Sequence, residues 1–135
     1  MATLVDTGPL VALVDRGQGE PHHRCVEVLP SLSLPLVTTW PCLTEAMYFL
    51  GKGWNKQAPL WKYLEDNRLE VHQTNSAEMK RMRALMEKYR DTPMDLADAS
   101  LVASAETRQL RRIFTLDSDF RVYLANDKEP FEIVP

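Results

Sequence analysis

Four acidic residues of this sequence occupy positions where a carboxylate has no evident structural use. Asp6 and Asp117 each end a short apolar run, while Glu45 and Asp98 lie within helical stretches that carry hydrophobic residues three and four positions away. A buried carboxylate without a partner is destabilising, so each of the four must be paired, protonated or bound to a metal ion. These side chains are therefore the first candidates for chemistry.

The chemistry open to these acids depends on whether they meet in the fold. Carboxylates that converge on one edge of a domain repel each other unless a cation lies between them. Oxygen ligands without His or Cys favour a hard ion, Mg²⁺ or Mn²⁺. Such an ion can activate water, orient a phosphodiester and offset charge on the leaving oxygen, so convergence of the four acids predicts hydrolysis of a phosphate ester.

The elements that position these acids alternate between short β-branched runs and longer helical stretches, which is typical of a parallel sheet covered by helices. Strands are predicted at residues 3–6, 34–38, 69–73, 112–116 and 131–134. Helices are predicted at residues 9–14, 22–29, 41–50, 59–67, 93–108 and 118–124, and through residues 79–89 from a start at Asn75 or Ser76. Ligands of such folds bind outside the carboxyl ends of the strands, where Asp6 and Asp117 are expected.

Two of the helices carry an acid on an apolar face. Glu45 is expected to project from the apolar side of its helix, with Tyr48 and Phe49 on the same side. Asp98 is expected against the core. Asp95 fits the end of a capping box that begins at Thr92, so it is expected to serve the helix start, with support of Asp98 as the alternative.

Length and composition predict one globular domain, residues 1–135. The 135 residues are 44% hydrophobic and 26% charged, which excludes intrinsic disorder. No apolar run approaches the ~18 residues that would span a bilayer, and no basic segment precedes Asp6 as in a secretory signal. We therefore expect a cytoplasmic protein that does not engage membranes.

The remaining side chains with reactive or charged groups have simpler interpretations. Cys25 and Cys42 lack metal-ligand spacing and are expected to be buried free thiols, and His22 and His23 are expected at the surface. A formal charge of -3 argues against non-specific coating of nucleic acid but permits local basic patches. Candidate patches are residues 80–90, the group Arg108, Arg111 and Arg112, and the loop at residues 51–56 followed by Trp61.

Four motifs in order make the chain resemble PIN-domain ribonucleases, specifically toxins of the VapC type from toxin–antitoxin pairs. They are Leu4-Val5-Asp6-Thr7-Gly8, Leu43-Thr44-Glu45, residues 94–103 and residues 115–120. The resemblance implies a three-layer α/β/α domain with a central, mostly parallel sheet. It also implies an acidic Mg²⁺ or Mn²⁺ site, endonucleolytic cleavage of RNA, a homodimer, and inhibition by a cognate antitoxin.

Carried over by position, the acidic quartet of that family falls on Asp6, Glu45, Asp98 and Asp117. Asp119 is a further possible ligand, although Asp117 at the strand end has the shorter reach. By the same resemblance, Thr7 and Thr115 are candidates to hydrogen-bond a ligand carboxylate or water, and their interpretation as ordinary turn and strand residues stays equally open.

Two other functions remain compatible with these residues. One is a catalytically inactive binding module whose acidic pocket serves only to engage an antitoxin. The other is a nuclease directed at DNA, although such relatives usually carry larger insertions that grip a duplex, and this compact chain has none.

Overall fold

The architecture is a five-stranded parallel sheet flanked by helices, as seen in a computed structural model that describes residues 2–135. The expected α/β/α arrangement is confirmed. The strands are β1 (Thr3–Val5), β2 (Leu36–Thr39), β3 (Leu69–His72), β4 (Arg112–Phe114), β5 (Leu124–Ala125), β6 (Glu129–Pro130) and β7 (Glu132–Val134). The sheet has the order β3-β2-β1-β4-β7, and β5 and β6 form a separate antiparallel hairpin.

Six α-helices of four or fewer turns connect these strands. They are α1 (Thr7–Val14), α2 (Glu20–Val28), α3 (Trp40–Leu50), α4 (Trp54–Glu65), α5 (Ser76–Lys88) and α6 (Leu96–Arg108). Short 3₁₀ segments come after α1 and α2, and a third lies at Ser118–Arg121 after β4. Every predicted strand has a counterpart, and so does every predicted helix except the one at residues 118–124.

The inner strands are apolar on both faces because helices cover both sides of the sheet. Consecutive residues of a strand point to opposite faces of the sheet, yet both faces are at most 2% exposed at Leu4, Val5, Val37, Ile113 and Phe114. Continuous apolar runs of this kind are typical of parallel strands buried from both sides. The core therefore holds β1, β2 and β4 rigidly, and the residues just after their carboxyl ends are fixed in position.

The strand order creates a crevice beside β1. The chain passes from β1 to β2 on one side, whereas β4 pairs with β1 on the other, so connections leave β1 and β4 in opposite directions. Ligand sites of parallel sheets form at such a switch point, outside the carboxyl ends of the strands. Asp6 directly follows β1, and Asp117 lies three residues after the end of β4.

Helix α6 can lie close to its neighbours because its sequence is rich in small residues. Its Ala97, Ala99, Ala103 and Ala105 are at most 5% exposed, and it packs against α3, α5 and β2. Ser100 in the same helix shares a 2.6 Å hydrogen bond with the Thr39 hydroxyl at the end of β2. This buried contact fixes the first turn of α6 beside the sheet edge.

Several predicted boundaries were wrong. Helix α6 was expected from residue 93, but its N-cap is Asp95. The acid that closes its capping box, at the third helical position, is Asp98 and not Asp95. Helix α4 begins five residues before the predicted position and contains Pro59. The helix predicted at residues 118–124 is a single 3₁₀ turn, and the β5–β6 hairpin after it was not predicted.

The two basic groups proposed as phosphate contacts are largely neutralised by ion pairs. Arg81 and Lys88 contact Asp127, Arg81 also contacts Glu106, and Arg83 contacts Glu87. Arg108, Arg111 and Arg112 pair with Glu70, Glu129 and Glu132. Arg108 also lies at the far end of α6, about 15 Å along the helix axis from Asp98. None of these side chains lines the crevice. Within residues 2–135, Lys80 and Arg90 of the first group form no ion pair, and phosphate contact by either group stays a prediction.

The two cysteines are placed as expected. Cys25 and Cys42 are buried free thiols as predicted, and burial raises the pKa of Cys42 to about 12. Over residues 2–135, the structure contains no helix with the length and apolar character required to cross a bilayer.

Candidate functional site

Three of the four predicted acids meet at the crevice between β1 and β4. Asp6, Asp98 and Asp117 each offer one carboxylate oxygen, and these oxygens lie within 4.8 Å of one another. The three residues come from distant parts of the sequence, and the strand order and the docking of α6 bring them together. We call this group the acidic triad.

Each acid of the triad lies at the N-terminal end of a helical segment. Asp6 is the N-cap of α1, Asp98 is the third residue of α6, and Asp117 caps the 3₁₀ turn at Ser118–Arg121. Free backbone N–H groups at helix starts stabilise negative charge. The fold thereby offsets part of the repulsion that three adjacent carboxylates create.

Asp6 is fixed by hydrogen bonds from both sides of the crevice. The Thr115 hydroxyl donates to Asp6 Oδ2 at 2.8 Å, and the Thr7 backbone N–H donates to Asp6 Oδ1 at 2.7 Å. Thr115 also accepts from the Asp117 backbone N–H at 3.0 Å. Thr115 therefore supports a triad carboxylate as the resemblance implied, whereas the Thr7 hydroxyl donates to the Cys42 carbonyl and contacts no triad oxygen.

Asp98 is held by its own helix and by a tyrosine that was not predicted from the sequence. Its backbone N–H donates to the Asp95 side chain at 2.8 Å, which completes the helix cap. The hydroxyl of the buried Tyr123 donates to Asp98 Oδ2 at 3.2 Å. No periodicity or motif points to Tyr123, because it comes after a short 3₁₀ turn and not a regular element.

Burial and mutual repulsion make the triad reluctant to carry its full charge. Asp6 and Asp98 are each 6% exposed. Burial raises the pKa of Asp6 to about 6, against the lowering effect of the Thr115 and Thr7 hydrogen bonds. Burial raises the pKa of Asp98 to about 8, and repulsion from Asp95, Asp6 and Asp117 adds to the effect. The expectation that Asp98 lies against the core is confirmed.

Glu45 lies in the same cleft but not on the buried face where helical spacing placed it. The buried side of α3 carries Cys42, Leu43, Ala46 and Leu50, so Glu45 is half-buried at the cleft wall and not against the core. Tyr48 and Phe49, expected on its buried face, are 80% and 62% exposed. The carboxylate of Glu45 is outside the acidic triad.

The two acids next to the triad have structural roles. Asp119 donates its backbone N–H to Asp117 Oδ1 at 2.9 Å, and its carboxylate is not part of the triad. Asp95 is exposed and caps α6. The structure therefore favours Asp117 over Asp119 as the acid that faces the crevice.

The triad lies at the base of a cleft of about 470 Å³. Its walls combine the acids with small and apolar residues. The lining residues beyond the predicted ones are Gly8, Val11, Gln18, Pro21, Phe49 and Leu116. His22 and His23 are outside this lining, and the His22 Nδ1 atom lies 2.6 Å from the Ala12 carbonyl, so the expectation that neither is a ligand agrees with their placement.

The donor set of this cleft fits a hard divalent cation. Within residues 2–135, no Lys, Arg or His forms an ion pair with any acid of the triad. The available ligands are carboxylate oxygens, which suit Mg²⁺ or Mn²⁺. The negative charge of the triad must therefore be reduced by protons on its carboxylates or balanced by a cation.

Sequence comparison assigns the chain to a family. The PIN domain family model matches residues 3–124, and the chain belongs to the PIN domain family. It is also similar to ribonuclease VapC26 of Mycobacterium tuberculosis (strain ATCC 25618 / H37Rv), with 28% identity over 117 residues that cover 84% of this chain and 85% of the relative.

Solved structures agree with this assignment at the level of the fold. VapC20 of Mycobacterium tuberculosis, a toxin that cleaves the Sarcin-Ricin loop, superposes with a TM-score of 0.80 at 15% identity, covering 90% of this chain and 94% of VapC20. A toxin–antitoxin complex from Klebsiella pneumoniae gives a TM-score of 0.67 at 20% identity, with 87% and 89% of the two chains covered. The resemblance that the motifs indicated is confirmed.

Proposed function

We propose that this PIN-domain protein is an endoribonuclease dependent on Mg²⁺ or Mn²⁺ and the toxin of a type II toxin–antitoxin pair. The observation that carries the proposal is the acidic triad, because three adjacent carboxylates without a cationic side chain repel one another unless protons or a cation lie between them. Membership of the PIN family and similarity to a ribonuclease support an RNA substrate.

The proposal gives each side chain a role. Asp6, Asp98 and Asp117 would hold the cation, and Glu45, on the cleft wall, would complete the site or orient water. When bound, the ion supplies Lewis acidity that activates water and offsets charge on the phosphate. Thr115 orients Asp6, Tyr123 orients Asp98, and Asp95 supports Asp98 by capping the same helix.

The same proposal includes a protein partner. The neighbour from Klebsiella pneumoniae is a toxin–antitoxin complex, which supports a cognate antitoxin for this chain. A homodimer and action in the cytoplasm follow from the resemblance to VapC-type toxins, and chromatography with light scattering on the purified protein tests the dimer. A catalytically inactive binding module and a DNA-directed nuclease remain the rival functions.

Removal of divalent metal tests the proposal directly. We expect the purified protein to cleave single-stranded RNA with Mg²⁺ or Mn²⁺, to lose activity in EDTA, and to regain it when excess metal is restored, because the triad carboxylates need a counter-ion to act. Gel analysis of a labelled oligoribonucleotide, beside the deoxyribonucleotide of the same sequence, measures this. Metal-independent cleavage, or cleavage of DNA alone, would overturn it.

Substitution of Thr115 tests whether hydrogen bonds around the triad tune metal binding. We expect Thr115→Val to weaken apparent Mg²⁺ affinity by about 10- to 100-fold, because Asp6 loses its 2.8 Å donor and its pKa rises further. Thr115→Ser retains the hydroxyl and is the matched control. Activity titrated against free Mg²⁺ measures the change, and equal curves for Val and Ser would show that the hydroxyl is irrelevant.

A further inference from the structure

Phe49 is an exposed aromatic side chain where three depressions of the surface meet. It lines the acidic cleft together with Glu45, which lies one helical turn earlier on α3. It also lines a second depression with Asn55 and Lys56, and an apolar groove that contains Trp40, Tyr48 and Leu96. Phe49 is the residue shared by the lining of the acidic cleft and that of the depression beside Lys56.

The ring is not part of the core. Phe49 is 62% exposed, and its described aromatic neighbour is Tyr48, whose ring centroid lies 5.6 Å away in an edge-to-face arrangement. The buried residues of α3 lie on the other side of the helix. Phe49 can therefore be substituted without opening a cavity, and its ring is free to contact a ligand.

Lys56 supplies positive charge on the side of Phe49 away from the triad. Its side chain lies over Gly51 and Gly53, where a Cβ atom at either glycine would come into van der Waals contact with the Lys56 methylene carbons. Asp15 lines the same depression, but its carboxylate accepts hydrogen bonds from the Gly17 N–H and the Gln18 amide. The charge of Lys56 also helps to lower the pKa of Asp15, after the hydrogen bonds from Gln18 and Gly17. Within residues 2–135, Lys56 nevertheless forms no direct ion pair, so its ammonium group can still contact a ligand.

We propose that Phe49 and Lys56 form a nucleotide subsite next to the scissile phosphate, in which the Phe49 ring stacks on a base and Lys56 contacts a flanking phosphate. This subsite rests on the proposed function and names how that site grips single-stranded RNA. Along the surface, the acidic cleft is followed by an aromatic ring and then by a cation. A single-stranded nucleic acid presents phosphate, base and phosphate in the same order. An apolar peptide segment would use the groove beside Tyr48 and gain nothing from Lys56.

Binding measured without cleavage tests the stacking contact. In an Asp98→Asn background, measured in EDTA so that residual cleavage is also suppressed, Phe49→Ala should weaken binding of a fluorescent single-stranded RNA by about 5- to 100-fold. Phe49→Trp keeps a stacking surface and should retain affinity. Tyr48→Ala is the matched control, because Tyr48 is the adjacent, more exposed aromatic residue and does not line the acidic cleft.

Salt dependence tests the phosphate contact independently. Lys56→Gln should weaken binding at low salt and reduce the slope of log affinity against log salt by about 0.7, the value for one phosphate contact on a single strand. In the cleavable protein, Phe49→Ala should raise KM with a smaller effect on kcat, since the ring contacts substrate and transition state alike.

The outcomes separate this inference from the proposed function. If the wild-type protein cleaves RNA but Phe49→Ala changes neither affinity nor KM, the subsite is wrong and the ring belongs to a protein-binding groove. An unchanged salt slope in Lys56→Gln overturns the phosphate contact. Failure of the wild-type protein to cleave RNA with Mg²⁺ or Mn²⁺ would overturn the proposed function, whatever the binding results.

Discussion

Asp98→Asn is expected to reduce RNA cleavage by about 10²- to 10³-fold while the protein stays folded. Asp98 provides one of the three converging carboxylate oxygens, and an amide in its place removes a negative charge from the cation site. The remaining Asp6 and Asp117 would hold a divalent ion more weakly and less well oriented. Initial cleavage rates at saturating Mg²⁺, with circular dichroism as the check on folding, measure the loss.

The folded state should tolerate this substitution, because the amide oxygen can still accept a hydrogen bond from Tyr123. The change also removes a buried charge whose neighbours are acidic, so the metal-free variant should unfold at the same temperature as the wild-type protein or a higher one. A large fall in thermal stability would instead mean that Asp98 acts mainly in the helix cap.

Asp95→Asn is the matched comparison for Asp98→Asn. It removes the same charge from the same end of α6, yet Asn caps helices as well as Asp and can still accept from the Asp98 N–H. Its loss of activity should therefore be much smaller. Equal losses in the two variants would indicate that net charge at the cleft, and not a ligand at position 98, controls cleavage.

The strands were predictable because parallel strands buried on both faces leave an unambiguous signal. Runs such as the one around Ile113 and Phe114 are apolar without alternation, and the structure places the strands within one or two residues of the prediction. The convergence of Asp6, Asp98 and Asp117 could not be predicted from the strands alone. It depends on β4 pairing with β1, and a single sequence carries no local signal for strand order.

The start of α6 was missed because two capping boxes overlap. Thr92 and Asp95 satisfy the spacing of one, Asp95 and Asp98 that of the other, and Pro93 made the first more attractive. In the structure the Thr92 N–H bonds to the Tyr89 carbonyl in a preceding turn, so the second box forms. The later start of α6 matters to function, since it places Asp98 in the first helical turn.

The placement of Glu45 could not be derived from helical spacing. Apolar neighbours at three and four positions indicate a shared face, but they do not reveal whether the face packs on the core or lines a surface groove. Here Tyr48 and Phe49 are exposed beside the cleft. By contrast, the β5–β6 hairpin left a usable signal in Asn126-Asp127, a pair that adopts positive φ angles of 52° and 63° at the turn.

The metal-free protein is expected to lose stability as the pH rises from about 5 to about 8. In the folded state burial raises the pKa of Asp6 from 3.8 to about 6 and that of Asp98 to about 8. The folded protein therefore holds protons that the unfolded chain has already released, and it unfolds more readily as those protons are withdrawn. For Asp6 alone the full shift from 3.8 to about 6 corresponds to about 3 kcal/mol, at about 1.4 kcal/mol per pH unit, and roughly half of it is lost above about pH 5.

Carboxyl groups with lowered pKa values do not change stability between about pH 5 and about pH 8. Asp127 and Glu129 have their pKa lowered by hydrogen bonds to Lys88 and Arg111, so their stabilising contribution is complete above about pH 5 and is lost only in acid. The wild-type protein and Asp98→Asn differ only at position 98. The difference between those two proteins thus isolates the contribution of Asp98.

Excess Mg²⁺ should reverse the trend, because a cation binds the deprotonated triad and competes with its protons. Melting temperatures measured in EDTA should fall with rising pH, whereas those in Mg²⁺ should fall less or rise, and the gap between the two curves should widen towards about pH 8. In Asp98→Asn the EDTA curve should be flatter and the gap narrower. A wild-type EDTA curve that does not fall with pH would mean that the triad stores no protons. Coincident curves in EDTA and Mg²⁺ would mean that it does not bind the ion, and the proposed nuclease site would lose its physical basis.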